Sequence, residues 1–215
     1  MIEPDWPASP RVRALVTTSD VGDMASEAGR RALRAHVPAE PQWLRQVHGK
    51  EVVAVDESPR RVGDASISRE PRSVCAVMIA DCMPVFFADE DASVVGVAHA
   101  GWRGLVAGVL EATVDAMRVS PGKLTAWLGP AIGPRVYEVG EDVRKAFPDH
   151  QSCFAMNRPG HWLLDLYGVA RAKLAQRGVA RVFGGGFCTH SDGERFFSHR
   201  RDRTSARMAA VIWLT

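Results

Sequence analysis

A chain of 215 residues with 46% apolar side chains is long enough to bury a substantial core, and 27 Lys+Arg against 25 Asp+Glu leave a formal net charge of only +2. That balance excludes the basic footprint of a dedicated nucleic-acid or membrane-surface binder and leaves room for a small ligand, anions included. No apolar run approaches a bilayer span, MIEPDWPASP carries no signal or transit pattern, and four cysteines without CxxC spacing suit a reducing compartment, so a cytoplasmic protein is expected.

In chain order, RVRALVTT reads as a first strand, and GDMASEAGRRALRAHV, opening at Asp23 and stopped by Pro38, as a helix. QWLRQVHG and EVVAVD are short runs of strand character interrupted at His48-Gly49, and the part from Glu57 to Pro71 is polar and loop-like. SVCAVMIADCMPVFFAD holds two buried strands meeting at Asp81-Cys82-Met83-Pro84, with SVVGVAHA as a third after the turn DEDAS. Beyond Gly101, the apolar residues Leu105, Val106, Val109, Leu110, Val114 and Met117 fall at helical spacing up to the breakers Ser120-Pro121-Gly122. KLTAWLGPAIGP is a strand entering a Gly/Pro loop, EDVRKAF a short helix, and LLDLYGVARAKLAQRG a longer helix ended by Gly178. VARVFGGGFCTH and RMAAVIWL complete the strands. No repeat, linker or low-complexity stretch divides the chain, so residues 1–215 read as a single domain of mixed α+β class, without the strict alternation of a doubly wound sheet.

Three apolar runs stop at a residue able to bind a metal: RQVHG delivers His48 before Gly49, VMIADCMP delivers Cys82 before Pro84, and VGVAHAG delivers His99 before Gly101. Strand ends distant in sequence can converge at one edge of a scaffold, where function is usually placed. Two imidazoles and a thiolate suit Zn²⁺, and three protein ligands leave the fourth tetrahedral position open for water or substrate, the catalytic rather than the structural pattern. Taken singly, Cys82 is as readily a small core residue, and each His a hydrogen-bonded structural one. Asp81 is read either as the carboxylate that orients a metal-bound ligand or as the cap of the turn before Pro84. Arg103, at the start of the predicted helix, is placed to hold a phosphate or is a surface arginine.

Gly184 to His190, GGGFCTH, brings Cys188 to a flexible loop without the spacing of a dinucleotide fingerprint. RFFSHRRDRTSAR concentrates arginines beside Phe196 and Phe197, either a phosphate grip or a solvated loop. Arg103, Cys188 and Arg201 are the candidate contacts to substrate or phosphate. His36, His150 and His161 receive no role, and Cys75 and Cys153 read as core residues.

With RQVHG, ADCMPV, VAHAGWRG, LGPAIGPRVYEVG and FCTH in that order, the sequence resembles the YfiH family, also called laccase-domain or polyphenol oxidase family, from about Ala14 to the end. The resemblance implies a layered α/β/β/α sandwich and zinc ligands at His48, Cys82 and His99, the three residues singled out above. It implies phosphorolysis of adenosine, inosine, guanosine and methylthioadenosine, with adenosine deamination as a companion activity. The partners implied are a purine nucleoside and phosphate, with the protein a monomer or small homo-oligomer. Two departures from the family stand out. VTTSDVGDMASEAGRR passes almost directly from strand to helix where the family has a longer loop, and the family's Arg-Asp-Gly-x-Thr-Gly-Arg becomes Arg201-Asp202-Arg203-Thr204-Ser205-Ala206-Arg207. With both glycines gone, any φ > 0 turn there is strained.

Three rival chemistries fit parts of the pattern. Cys82 as nucleophile with His99 as base gives a cysteine hydrolase or amidase acting in peptidoglycan-precursor editing. Copper in place of zinc gives the polyphenol oxidase of the family's older name, although seven histidines with no His-X-His pair make a trinuclear cluster hard to assemble. A non-catalytic binding protein is the third.

Overall fold

The computed structural model describes all residues 1–215. It contains β1 (Val12–Val16), α1 (Glu27–Arg34), β2 (Val52–Ala54), β3 (Ala65–Ser68), β4 (Cys75–Ile79), β5 (Met83–Asp89), β6 (Val95–Ala100), α2 (Trp102–Ala107), α3 (Val109–Met117) and β7 (Leu124–Leu128). There follow β8 (Glu138–Gly140), α4 (Glu141–Lys145), β9 (Phe154–Arg158), β10 (His161–Leu164), α5 (Leu166–Gln176), β11 (Arg181–Gly184), α6 (His199–Asp202) and β12 (Met208–Leu214).

The strands form a six-stranded mixed sheet of order β11-β7-β5-β6-β3-β2, a three-stranded antiparallel sheet β1-β12-β4, and a small sheet β8-β10-β9. Each of β5, β6 and β12 is buried along its whole length, because both faces are covered. One core fills the space between the six-stranded sheet and α2, α3 and α5; a second lies between the two larger sheets, where Phe86 stacks on Trp127 at 5.8 Å; a third sits under α1. Helices, sheet, sheet and helix therefore succeed one another as layers, the α/β/β/α sandwich that the family resemblance implies.

Several boundaries differ from the sequence expectation, each for a local reason. The first helix starts at Glu27 rather than at Asp23, because the Ser26 side chain accepts from the Gly29 N–H as its N-cap, while Asp23 accepts from the Ala25 and Arg207 N–H groups. QWLRQVHG makes no strand, only isolated bridges at Gln42 and Arg45. The polar run from Glu57 to Pro71 conceals β3, four buried residues that pair with β6. The two strands expected around Asp81 belong to different sheets, so the intervening turn crosses between layers. The helix expected after Gly101 is broken at Gly108, which is left-handed at φ 90°, and Val106 points outward, 42% exposed. Leu163 and Leu164 end a strand, and α5 begins behind the Asp165 cap and stops at Gly178, at φ 82°. The chain contains no helix long and apolar enough to cross a membrane.

Candidate active site

The turn Ala80 to Cys82 leaves the three-stranded sheet at β4 and enters the six-stranded sheet at β5, which projects Cys82 from the seam between the two layers. His99 lies near the end of β6, opposite Pro84 of β5. His48 is exposed on the loop before β2, in the left-handed region at φ 59°. The ligand atoms of these three residues all lie within 4.8 Å of one another, and the two imidazoles meet edge to face with centroids 4.9 Å apart. Of the three strand ends expected from sequence, only those of Cys82 and His99 exist; His48 arrives on a loop.

That loop is held by Asp64, a buried carboxylate just before β3. Its oxygens accept from the Val47 N–H at 3.0 Å, the His48 N–H at 2.9 Å and the Gly49 N–H at 2.8 Å, and its Oδ1 also lies 3.0 Å from His99 Nδ1. The Asp64 carbonyl accepts from the His99 N–H at 2.7 Å. One residue thus shapes the turn carrying His48 and directs His99, whose Nδ1 faces Asp64 so that Nε2 is left for a metal. Sequence reasoning missed it. Asp64 is 16 residues from His48 and 35 from His99, so no spacing advertises the contact.

Asp81, expected beside the ligands, serves a different purpose. At φ 80° it turns its carboxylate away from them to accept from Thr189 Oγ1 and from the Arg200 N–H, both at 2.6 Å, which ties the C-terminal loop to the turn bearing Cys82. The carboxylate meets neither a candidate metal ligand nor an N–H of its own turn, since both its partners come from the C-terminal segment.

The electrostatics of the trio favour a thiolate. Burial by itself would push the Cys82 thiol up, but the charge on His99 and hydrogen bonds to both imidazoles bring it down to about 6. His99 moves the opposite way: burial pulls it down, while the Cys82 charge and the Asp64 bond take it up to about 9. Gly101 makes the close approach possible, since a Cβ there would stand 2.6 Å from Cys82 Sγ.

The trio opens into a cavity of about 690 Å³, also lined by Trp102, Tyr137, Gln46, Met78 and His199. Arg103 reaches it, stacked over Trp102 at 4.5 Å. Arg201 and Cys188 do not. Arg201 donates to the carbonyls of Thr189, His190 and Phe196 and pairs with Asp202, so its work is to hold the C-terminal loop. Cys188 lies in a separate depression beside Gly133 and Tyr167, its sulfur accepting from the Gly133 N–H at 3.2 Å. Arg200 and Arg207, from the arginine-rich stretch RFFSHRRDRTSAR, line the cavity instead, together with Arg45, which the sequence did not single out. Of the unassigned histidines, His150 is buried against Phe147, and Cys153, read as a core residue, is only partly buried.

The family described as multi-copper polyphenol oxidoreductase laccase matches residues 13–215. The chain belongs to this family. Within the laccase-domain family, a purine nucleoside phosphorylase of Pseudomonas aeruginosa strain PAO1 is 45% identical over 99% of this chain and 98% of its own length. The purine nucleoside phosphorylase YfiH of Escherichia coli K12 is 44% identical over 100% of this chain and 98% of that protein. The crystal structure of a Neisseria meningitidis protein superposes with a TM-score of 0.92 at 39% identity, covering 99% of this chain and 98% of the other, and that of Bacillus licheniformis YfiH gives 0.85 at 26%, covering 95% and 93%. The alignment with the Pseudomonas protein runs over 236 positions against 215 residues here, so the relative carries segments that this laccase-domain chain lacks.

Proposed function

We propose that this laccase-domain protein is a zinc-dependent purine nucleoside phosphorylase that splits adenosine, inosine, guanosine and methylthioadenosine with inorganic phosphate. The observation that carries the proposal is the meeting of His48, Cys82 and His99, with ligand atoms within 4.8 Å, at the wall of an arginine-lined cavity. The names of relatives 44–45% identical over the whole chain support the substrate class.

The donor set fits zinc: two imidazoles, one held with Nε2 free, and a sulfur whose surroundings favour the thiolate. Bound there, zinc supplies a Lewis-acid position facing the cavity. The remaining work falls to the chain itself. Arg103, on Trp102, and Arg200, stacked on Tyr137 at 5.1 Å, present guanidinium groups to the phosphate without a carboxylate to neutralise them. Held there, a phosphate oxygen attacks the anomeric carbon, the glycosidic C–N bond breaks, and the base leaves with the bonding pair and takes up a proton from solvent, giving the pentose 1-phosphate, which is ribose 1-phosphate from adenosine, inosine and guanosine and its 5-methylthio analogue from methylthioadenosine. Breadth towards the base also has a structural reason. The Gln46 amide, a natural reader of the purine 6-position, is already committed, donating to the Met78 carbonyl and accepting from the Met78 N–H, both at 2.8 Å.

Adenosine deamination is the weaker companion in this reading. The cavity's carboxylate is Asp81, whose two oxygens are occupied by Thr189 and Arg200, and no glutamate lines the walls to serve as the acid and base that zinc deaminases use. Inosine supplied with and without phosphate tests the main proposal. Hypoxanthine release that requires phosphate supports it; equal release in both defeats phosphorolysis.

A second reading has one specific observation behind it. Cys82, His99 and Asp64 stand in the order nucleophile, base and orienting carboxylate, with the thiol lowered to about 6. As a hydrolase, the metal-free protein would be the active form and iodoacetamide would abolish its activity; as a phosphorylase, zinc would shield Cys82 from the reagent.

A further inference from the structure

We infer that Tyr137 is a phosphate-binding residue, its hydroxyl donating a hydrogen bond to the same inorganic phosphate that the Arg200 guanidinium holds. This rests on the phosphorylase reading and adds a neutral donor to the site of the attacking anion.

The chain has two tyrosines, buried to nearly the same extent, with Tyr137 9% and Tyr167 6% exposed. A buried tyrosine normally finds a hydrogen-bond partner for its hydroxyl, the polar tip of an otherwise apolar ring. Tyr167 does so three times over: its hydroxyl accepts from the Ala131 N–H at 2.9 Å and donates towards the carbonyls of Phe187 at 2.9 Å and Gly129 at 3.0 Å. Tyr137 differs. Its ring belongs to the core between the six-stranded sheet and α2, α3 and α5, yet the residue lines the cavity, and its hydroxyl bonds to no group of the chain. That hydroxyl is not sealed in the core either, as the unpartnered oxygens of Ser66 and Thr125 are, so its tip is open to whatever fills the cavity.

Its neighbour indicates which ligand. Arg200 lies over the Tyr137 ring, 5.1 Å from the centroid, and its Nη1 donates at 2.9 Å to the carbonyl of Glu138, the next residue in the chain. The Arg200 backbone is fixed as well, its N–H donating to Asp81 Oδ2 at 2.6 Å. Tyr137 is held just before β8, where its N–H donates to the Gly133 carbonyl at 3.1 Å and its carbonyl accepts from the Leu164 N–H at 3.0 Å. Guanidinium and phenol therefore form one rigid unit, a charged donor beside a neutral one. The cavity's carboxylate, Asp81, has both oxygens occupied and neutralises neither. A ligand that satisfies both donors must accept at two neighbouring atoms and carry negative charge, which a phosphate does and an uncharged ribose or purine does not.

Tyr137→Phe provides the test, because it keeps the ring, its core packing and the platform under Arg200 and removes only the hydroxyl. With zinc-loaded protein and inosine, the KM for phosphate should rise about tenfold to a hundredfold, the worth of one hydrogen bond to a charged group, while the KM for inosine at saturating phosphate stays within about twofold. Titration calorimetry with inorganic phosphate alone should show the same weakening without turnover, at unchanged zinc content and melting midpoint. An unchanged KM for phosphate, or equal phosphate affinity of the two proteins, would overturn the inference. So would a rise in the KM for inosine instead, which gives the hydroxyl to the nucleoside, or a loss of zinc or of thermal stability, which makes the hydroxyl structural. Hypoxanthine release by the natural chain that needs no phosphate would defeat the phosphorylase reading alone, since the calorimetric comparison reports on Tyr137 by itself.

Discussion

Asp64 shows how much one buried carboxylate can organise. Its side chain takes three backbone N–H groups of the turn that carries His48 and faces Nδ1 of His99, so both imidazoles depend on it although it binds no metal itself. Asp64→Asn keeps the volume but replaces one acceptor oxygen with a donor, which sets at least one of those N–H groups against another N–H. Zinc affinity, measured by chelator competition on the folded variant, is expected to fall roughly 10-fold to 100-fold, as for other groups that orient metal-bound histidines. Affinity equal to that of the natural chain would remove Asp64 from any positioning role. The contrast with Asp81 shows what was readable beforehand. Cys82, His99 and His48 stand out in sequence because each follows an apolar run and precedes a residue that turns the chain. Asp64 sits in a stretch of small and polar residues, and its partners are brought to it only when β3 inserts beside β6.

At the scale of single elements, the segment after Ser198 records the cost of one of the two missing glycines; Ala206, in the place of the other, is not at positive φ. Arg203 caps α6 in the left-handed region at φ 51° and ψ 28°, so the turn is retained with a side chain that resists it. Arg203→Gly should therefore stabilise the protein. A left-handed residue costs roughly 1–2 kcal/mol and glycine's extra chain entropy returns about 0.5–1 kcal/mol of that, leaving a gain of up to about 1.5 kcal/mol, with each kcal/mol visible as a midpoint about 2–4 °C higher in thermal unfolding. An unchanged or lower midpoint would show that the turn carries no strain. The small sheet offers a test in pH. Hydrogen bonds from Arg158 and Asn157 of β9 hold the Glu138 carboxyl of β8 down to about 2, from an ordinary 4.5. A depressed folded-state value contributes stability above 4.5 that is lost as the pH falls towards 2. The melting difference between the natural chain and Glu138→Gln should be constant at neutral pH and narrow below 4.5; a difference that widens on acidification would contradict the assignment.

Elements with strong periodicity or long apolar runs were legible: β5, β6, β12 and the body of α5 lie where the sequence puts them. β3 was hidden because Ala65-Ser66-Ile67-Ser68 is short and half polar, and its four buried residues owe their burial to neighbours far away in the chain. The break at Gly108 was hidden because the apolar spacing continues across it.

For the molecule as a whole, the two stacked sheets are what make a site from distant residues. The turn at Cys82 crosses from one sheet to the other, β6 delivers His99 from the larger sheet, and the loop before β2 closes over the seam with His48. The arginines come from still other places, Arg45 before the first strand of the larger sheet, Arg103 on α2, Arg200 on α6 and Arg207 leading into β12. The stretch RFFSHRRDRTSAR groups Arg200 and Arg207 in sequence, but no local signal joins Arg45 and Arg103 to them; only the layering gathers all four round one cavity. Arg201 and Cys188, picked out by composition, were assembled elsewhere for the same reason.

The account stands on the convergence of His48, Cys82 and His99 around one ion, and elemental analysis of protein purified without added metal tests it most directly. One zinc per chain is predicted, falling by more than about tenfold in His48→Ala, Cys82→Ser and His99→Ala together with the phosphate-dependent release of hypoxanthine. Zinc content untouched by all three substitutions, or full inosine turnover by a protein that holds no metal, would contradict it.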